Sequence, residues 1–175
     1  MIEQKIKSVI RDVPNFPKEG IIFKDISTIM MNPKISAEIL DHLVELYKDK
    51  GLTKIAGIES RGFLFGYPLA IRLGLPFVLI RKKGKLPYDK LSYSYDLEYG
   101  SATIEIHTDA IESGDKVLIH DDLLATGGSA SAAAELIQQC GGTVEAFNFL
   151  VSLDFLNGTE KLKNYTNNIS NLASY

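Results

Sequence analysis

Apolar positions along the chain follow two periods, one near 3.6 and one near 2, in alternating blocks. Ile2, Ile6, Val9 and Ile10 recur at helical spacing and predict a short amphipathic helix over residues 2–11 that ends ahead of Pro14. From Asn15 to Met31, Pro17 and Gly20 punctuate the group Ile21-Ile22-Phe23, which is too short for a core element, so irregular chain is expected. Asn32-Pro33 then offers a helix start, and Ala37, Leu40, Leu43, Val44 and Tyr47 mark one apolar face until Gly51 supplies a stop. Next come a short buried strand over 54–58, a helix over 63–73 closed by Gly74, and a strand over 77–80. Beyond a polar, tyrosine-rich segment over 82–100, residues 103–107 alternate sides and 117–120 read as a buried strand. A helix over about 129–140 and a strand over about 143–153 complete the series. The final 154–175 is polar and weakly patterned, which predicts a short surface element and a loose end.

Alternation of this kind predicts an α/β fold: a mostly parallel twisted sheet with helices on both faces and right-handed crossovers. The chain has 175 residues, 45% of them hydrophobic, and shows no linker or repeat, so a single domain over 1–175 is expected. A domain of that size buries about 70% of its unfolded surface and needs no metal or disulfide staple. Cys140 is the only cysteine and is expected to be a small buried residue near a helix end. A lone cysteine fits a reducing compartment, so a cytoplasmic location is expected. Glu3, Lys5, Lys7, Arg11 and Asp12 interrupt the N-terminal apolar residues, which excludes a signal-peptide core. Pro68, Arg72 and Pro76 break the most apolar stretch well short of the roughly 20 residues a membrane span needs. No membrane partner is therefore expected. A net charge of −3 provides no field to hold a nucleic acid, so any anion site must be local. His42, His107 and His120 lack metal-ligand spacing and are read as structural.

In an open parallel sheet, ligands gather beyond the carboxyl ends of the strands. The most informative strand end is Val117-Leu-Ile-His-Asp-Asp-Leu-Leu-Ala-Thr-Gly-Gly-Ser129, where a buried strand runs into two acids and a small-residue loop that opens a helix. Ala125, Thr126, Gly127, Gly128 and Ser129 offer backbone N–H groups at a positive helix end, the arrangement of a monophosphate cradle. Asp121 and Asp122 are acceptor-only groups suited to a vicinal diol such as ribose. Neither GxGxxG nor GxxxxGK[ST] is present here, which removes a dinucleotide fold and a P-loop ATPase. A second loop, Glu59-Ser60-Arg61-Gly62, also joins a strand to a helix. It reads either as a site for a further phosphate group or as a plain helix N-terminus with Arg61 on the surface. Arg81, Lys82, Lys83 and Lys85 form a basic run that leads into Tyr88, Tyr93, Tyr95 and Tyr99. That segment is either a solvated loop or a functional one.

The segment 117–129 resembles the phosphoribosyl-pyrophosphate (PRPP) motif of the type I phosphoribosyltransferase family, and its Leu-Leu-Ala-Thr-Gly-Gly form is similar to that of the adenine-using members. Ile22-Phe-Lys-Asp-Ile26, Glu59-Ser-Arg-Gly-Phe63, Arg81-Lys-Lys-Gly-Lys-Leu-Pro87 and Leu97-Glu-Tyr-Gly100 resemble the family's other signatures in the family's order, so the likeness covers nearly the whole chain. It implies the type I phosphoribosyltransferase fold with residues 1–33 as a base-binding hood, and transfer of the 5-phosphoribosyl group from PRPP to adenine, giving AMP and pyrophosphate. By the same resemblance, Ala125 to Ser129 would hold the 5′-phosphate, and Asp121 and Asp122 the ribose. Ser60, Arg61, Gly62, Arg81, Lys82 and Lys85 would hold pyrophosphate. Ile22, Phe23, Lys24 and Leu123 would hold adenine, Phe23 by stacking and its neighbours through backbone groups. Segment 82–100, with Tyr99, would be a closing loop that excludes water. Glu98 would exchange a proton with the purine N7, and Arg61 would meet the leaving-group charge. The peptide between Glu59 and Ser60 would be cis. Mg²⁺ is the implied cofactor, held mainly by substrate and water oxygens rather than by a carboxylate cage, and a homodimer is the implied assembly. Ser129 stands where threonine is common and Lys24 where arginine is; each keeps the hydroxyl or backbone group required. The alternatives are a phosphoribosyltransferase for another purine, a noncatalytic PRPP-sensing regulator, and a phospho-acceptor domain. The regulator would need a DNA-binding module larger than residues 1–33 provide, and the phospho-acceptor would carry its acids after the first strand.

Overall fold

The computed structural model describes residues 1–96 and 100–175. Helix α1 (Ile2–Val9) leads into β1 (Arg11–Pro14), which pairs antiparallel with β2 (Ile22–Asp25), Val13 opposite Phe23. Irregular chain was expected here. Two four-residue strands are held by their mutual ladder rather than by a buried face, so they carry no hydrophobic period to read. A single turn, α2 (Ser27–Met30), precedes α3 (Pro33–Tyr47), whose start is capped as expected: the Asn32 side chain accepts from the Ile35 N–H at 3.2 Å. The buried stripe of α3 is Ile39, Leu43 and Tyr47, whereas Ala37 is exposed, so the buried face is rotated from the expected one.

The main sheet begins with β3 (Lys54–Ile58), followed by α4 (Gly62–Leu73), β4 (Phe77–Lys82), β5 (Lys90–Asp96), β6 (Ser101–His107) and β7 (Lys116–Leu124). It continues through α5 (Gly128–Gln139), β8 (Thr143–Ser152), α6 (Gly158–Leu162) and β9 (Ile169–Ser174). Among the described residues, seven strands lie in the order β5-β6-β4-β3-β7-β8-β9. The five from β4 to β9 are parallel, and β6 and β5 add an antiparallel hairpin at one edge. The strand period of 2 divides the core. Ala56, Ile119, Phe147 and Phe149 face α5 on one side, while Ile55, Leu118, Ala146 and Leu150 pack with α1, α3 and α4 on the other. The expected α/β sheet with helices on both faces is therefore present.

Two expectations need correction. The segment after Arg81 contains β5, in which Leu91, Tyr93 and Tyr95 alternate with more exposed residues. The C-terminal tail is not loose: β9 pairs with β8, and Leu172 and Ala173 are buried. Both strands owe their order to edge pairing, which a polar composition conceals.

A polar chain crosses this core. His120 is fully buried, and its Nδ1 lies 2.9 Å from Asn148 Oδ1. Asn148 Nδ2 donates to Ser170 Oγ at 3.0 Å, and Ser170 Oγ lies 2.6 Å from the Tyr47 hydroxyl. Because the Asn148 amide nitrogen is spent on Ser170, its oxygen accepts, and the imidazole donates from Nδ1. Nε2 then carries a lone pair with no partner among the described residues. Burial lowers the His120 pKa from 6.5 to about 4. The folded state thus holds a neutral imidazole, and the stability this entails is fully present above pH 6.5 and is lost as pH falls toward 4. Urea titrations should show the wild type losing about 2 kcal/mol between pH 7.5 and 5 through this group. His120→Val should be less stable at pH 7.5, because Asn148 loses its donor, yet lose less on acidification; equal losses in the two proteins would refute the assignment.

Candidate active site

The carboxyl ends of β3, β4 and β7 open into a cleft of about 580 Å³. Glu59, Ser60 and Arg61 form one wall, Lys82 and Lys83 another, and Asp121, Asp122 and Leu123 the floor between them. The Glu59–Ser60 peptide is cis. Gly62, which starts α4, is required for the approach of that helix to β7. A Cβ there would stand 2.8 Å from the His120 carbonyl oxygen and 3.0 Å from Asp121 Oδ1. This close approach carries Arg61 to Asp122, and Arg61 Nε donates to Asp122 Oδ2 at 2.6 Å. The pair is asymmetric: the Asp122 side chain is 8% exposed and that of Arg61 52%. The Asp122 amide donates to Asp121 Oδ1 at 2.9 Å. Burial, followed by the negative charge of Asp122, raises the Asp121 carboxyl well above its ordinary value, and Arg61 offsets this only in part. Both acids lie within β7, which runs to Leu124, rather than in the loop after it.

The remaining cations divide by role. Arg81 turns inward, Nε donating to Glu59 Oε2 at 3.2 Å and Nη1 to the Lys85 carbonyl at 3.0 Å. Glu59 also accepts from the Lys82 amide at 2.8 Å. Burial works to raise the Glu59 carboxyl, but the Lys82 amide and the Arg81 guanidinium outweigh it and hold the group below its ordinary value. Arg81 and Lys85 are not cleft walls; Lys82 and Lys83 are.

A smaller recess of about 90 Å³ adjoins the cleft, lined by Ala125 to Ser129 together with Tyr95 and Leu123. Helix α5 starts here, and the first N–H groups of a helix have no acceptor within it. The loop is braced from behind: a Cβ on Gly158 would fall 2.2 Å from the Ala125 carbonyl oxygen, so only glycine lets α6 seat against it. The β1–β2 ribbon does not line the cleft. Ile22 is exposed, Phe23 packs edge-on against Phe16 with ring centroids 5.2 Å apart, and Lys24 donates to Asp12 at 2.7 Å. None of the three lines the cleft, although the next residue, Asp25, feels the cleft's Arg61. Hydrogen bonds from Ser27, then the charges of Arg11 and Arg61, hold the Asp25 carboxyl below its ordinary value. Glu98 and Tyr99 lie outside the described residues. Among those described, no group of three or more His, Cys, Asp or Glu side chains gathers as a metal site, and no helix is long and apolar enough to cross a membrane. Sequence reasoning overlooked Tyr95 and Lys83 as wall residues. The alternation of Leu91, Tyr93 and Tyr95 was the available signal for the first.

The profile described as phosphoribosyl transferase domain matches residues 25–172. The chain belongs to the phosphoribosyltransferase family. It is 54% identical over 159 residues to an adenine phosphoribosyltransferase of Haemophilus influenzae (strain PittEE), covering 91% of this chain and 88% of that one. The crystal structure of adenine phosphoribosyltransferase from Thermoanaerobacter pseudethanolicus matches with a TM-score of 0.94 at 46% identity, over 100% of both chains. The Saccharomyces cerevisiae adenine phosphoribosyltransferase, solved with an imino-altritol bisphosphate and adenine, matches with a TM-score of 0.90 at 43% identity, over 98% of each chain.

The raised Asp121 carboxyl has a consequence for stability. Between its unfolded and folded pKa the native state binds a proton that the unfolded chain has released, so stability falls as pH rises through that interval. Asparagine keeps an oxygen for the Asp122 amide and cannot ionise. Asp121→Asn should therefore raise the thermal midpoint at pH 7.5, with a gain that shrinks toward pH 4, as followed by circular dichroism. A midpoint that drops, or a pH-independent difference, would count against it.

Proposed function

We propose that this protein is an adenine phosphoribosyltransferase that converts adenine and PRPP to AMP and pyrophosphate in purine salvage. The observation that carries the reading is the adjacency in one cleft of the Asp121–Asp122 pair, the recess at the start of α5, and the cationic wall of Arg61, Lys82 and Lys83. The yeast relative's capture of adenine together with a bisphosphate supports the same ligand chemistry.

On this reading the Ala125–Ser129 amides and hydroxyls hold the 5′-phosphate, while Asp121 and Asp122 accept hydrogen bonds from the ribose hydroxyls. Pyrophosphate lies against Ser60, Arg61, Gly62 and Lys82, with Lys83 beside them. Arg81 and Lys85 act by shaping the basic turn. The bond from the anomeric carbon to the pyrophosphate oxygen breaks, and its electron pair leaves with pyrophosphate. A purine nitrogen lone pair forms the new bond, and the ring proton is lost. Arg61 and the lysines stabilise the departing charge, the acids face the developing ribosyl cation, and Glu98 handles the purine proton at N7. Tyr99 would help to exclude water from the reacting centre.

Residues 1–33 serve as the base hood within a single domain over 1–175. Strand β2 pairs with β1 along one edge, leaving backbone groups of Ile22 and Lys24 on the other for the purine edge, with Phe23 and Leu123 for its faces. Mg²⁺ fits as a companion of PRPP. Asp122 is bound to Arg61, and Glu59 to Arg81 and the Lys82 amide, so the cleft's carboxylates are not free to form a cage. Asp121 and Asp122 would meet the ion's waters, and the ion would supply charge neutralisation to the pyrophosphate oxygens. Exposed Leu64, Tyr67 and Ile71 at helical spacing on α4 support a homodimer through that face, and the lone half-buried Cys140 suits the cytoplasm.

With Mg²⁺ and PRPP, labelled adenine should yield AMP, and hypoxanthine should be used at least about 100-fold less efficiently in kcat/KM. Comparable turnover of hypoxanthine would transfer the assignment to another base, and no turnover of any purine would favour a PRPP sensor. Glu98→Ala should lower kcat by about 100-fold or more while AMP affinity stays within about twofold. Parallel loss of both quantities would remove the proton role.

A further inference from the structure

The recess at the start of α5 contains one contact that the proposed chemistry does not use. Tyr95, from β5, reaches across to the recess, and its hydroxyl lies 2.9 Å from Ser129 Oγ. Its ring lies over Gly128, where a Cβ would stand 3.4 Å from Cδ2. Tyr95 lines both the large cleft and the recess. It is carried opposite Ala102 in the β5–β6 hairpin, so this hydroxyl pair is where the hairpin meets the recess.

We propose that Tyr95 is a positioning residue for phosphate binding: its hydroxyl donates to Ser129 Oγ and thereby directs the Ser129 proton onto the ligand's phosphate. This rests on the reading of Ala125–Ser129 as the phosphate cradle. A serine hydroxyl has one proton and two lone pairs, and an anion can use only the proton. If Ser129 donated to Tyr95, the recess would present an oxygen lone pair to a phosphate, which is repulsive. The phenol is the more acidic hydroxyl and the better donor, so once an anion arrives the favoured arrangement runs from Tyr95 to Ser129 to phosphate. Successive donors in such a chain polarise one another.

The nearby hydroxyl on α5 cannot substitute. Ser131 Oγ lies 2.9 Å from the Tyr165 hydroxyl, which itself donates to Glu135 Oε1 at 2.6 Å, and Ser131 is buried away from the recess. The Gly128 contact places the ring so that the phenol oxygen, rather than an aromatic edge, meets Ser129. Phenylalanine would keep that packing and remove only the donor.

Calorimetric titration of AMP and of adenosine into wild type, Tyr95→Phe, Ser129→Ala and the double variant tests the inference. Wild type should bind AMP more tightly than adenosine; if it does not, the cradle reading itself fails and the inference goes with it. Where that difference holds, Tyr95→Phe should weaken AMP about fivefold, leave adenosine unchanged, and add nothing in the Ser129→Ala background. In turnover the loss should appear in KM for PRPP and not in KM for adenine. An unchanged AMP affinity, an equal loss for adenosine, or a full effect in the absence of the Ser129 hydroxyl would overturn it. Thermal midpoints of all four proteins identify any variant whose loss reflects unfolding.

Discussion

Two adjacent carboxylates on one buried strand, met by a single guanidinium, are the constraint around which this molecule is arranged. Like charges this close in a desolvated setting cannot both ionise without a large cost. The chain reconciles them by an unequal division: Asp122 takes Arg61 at 2.6 Å, and Asp121 keeps a raised pKa with the Asp122 amide as its donor. The division depends on backbone proximity, since a side chain at position 62 would push α4 away from β7 and Arg61 away from Asp122. A pair that burdens the folded state is well suited to a ligand with hydroxyl donors and a positive reacting centre, because both relieve it. On the proposed reading, stability and ligand binding oppose each other at Asp121.

The sheet explains why these groups meet. Parallel order in β4, β3 and β7 aligns three carboxyl ends, so the Glu59–Arg61 loop, the Lys82–Lys83 turn and the two acids converge although they lie far apart in sequence. The antiparallel β5–β6 hairpin extends the sheet on the other side of β4 and brings Tyr95 to the start of α5. From behind, α6 is seated against the Ala125 carbonyl through Gly158, which holds the recess in place without contributing a polar side chain. The cleft is thus set by rigid elements at its floor and back, with β5 as the element adjoining its front.

Legibility in the sequence followed burial. Strand β3 was readable to its ends, and the helices around Leu43, Leu69 and Ile137 nearly so, because a fully buried strand or a one-sided helix imposes its period on residue choice. The acids and the glycine-rich loop stood out because a buried strand that runs into two adjacent acids and then a run of small residues is an unusual composition, and the structure places both at the cleft. Elements held by pairing alone were not: β1 and β2 are short and bury no residue fully, β5 alternates tyrosines with serines, and β9 hides Leu172 and Ala173 among asparagines and serines. Side-chain partnerships were also invisible. Nothing in a linear run distinguishes Arg81, folded back onto Glu59 and Lys85, from Lys83 on the cleft wall, since both depend on how the turn after β4 closes.

The central claim, that the strand-end acids and the α5 recess together hold a ribose 5-phosphate, is tested most directly by a crystal structure of the AMP complex. The account predicts phosphate oxygens within hydrogen-bonding distance of the Thr126–Ser129 amides and ribose hydroxyls on Asp121 and Asp122. A nucleotide bound elsewhere, or bound in the cleft with its phosphate on the Arg61 and Lys82 wall instead, would contradict it.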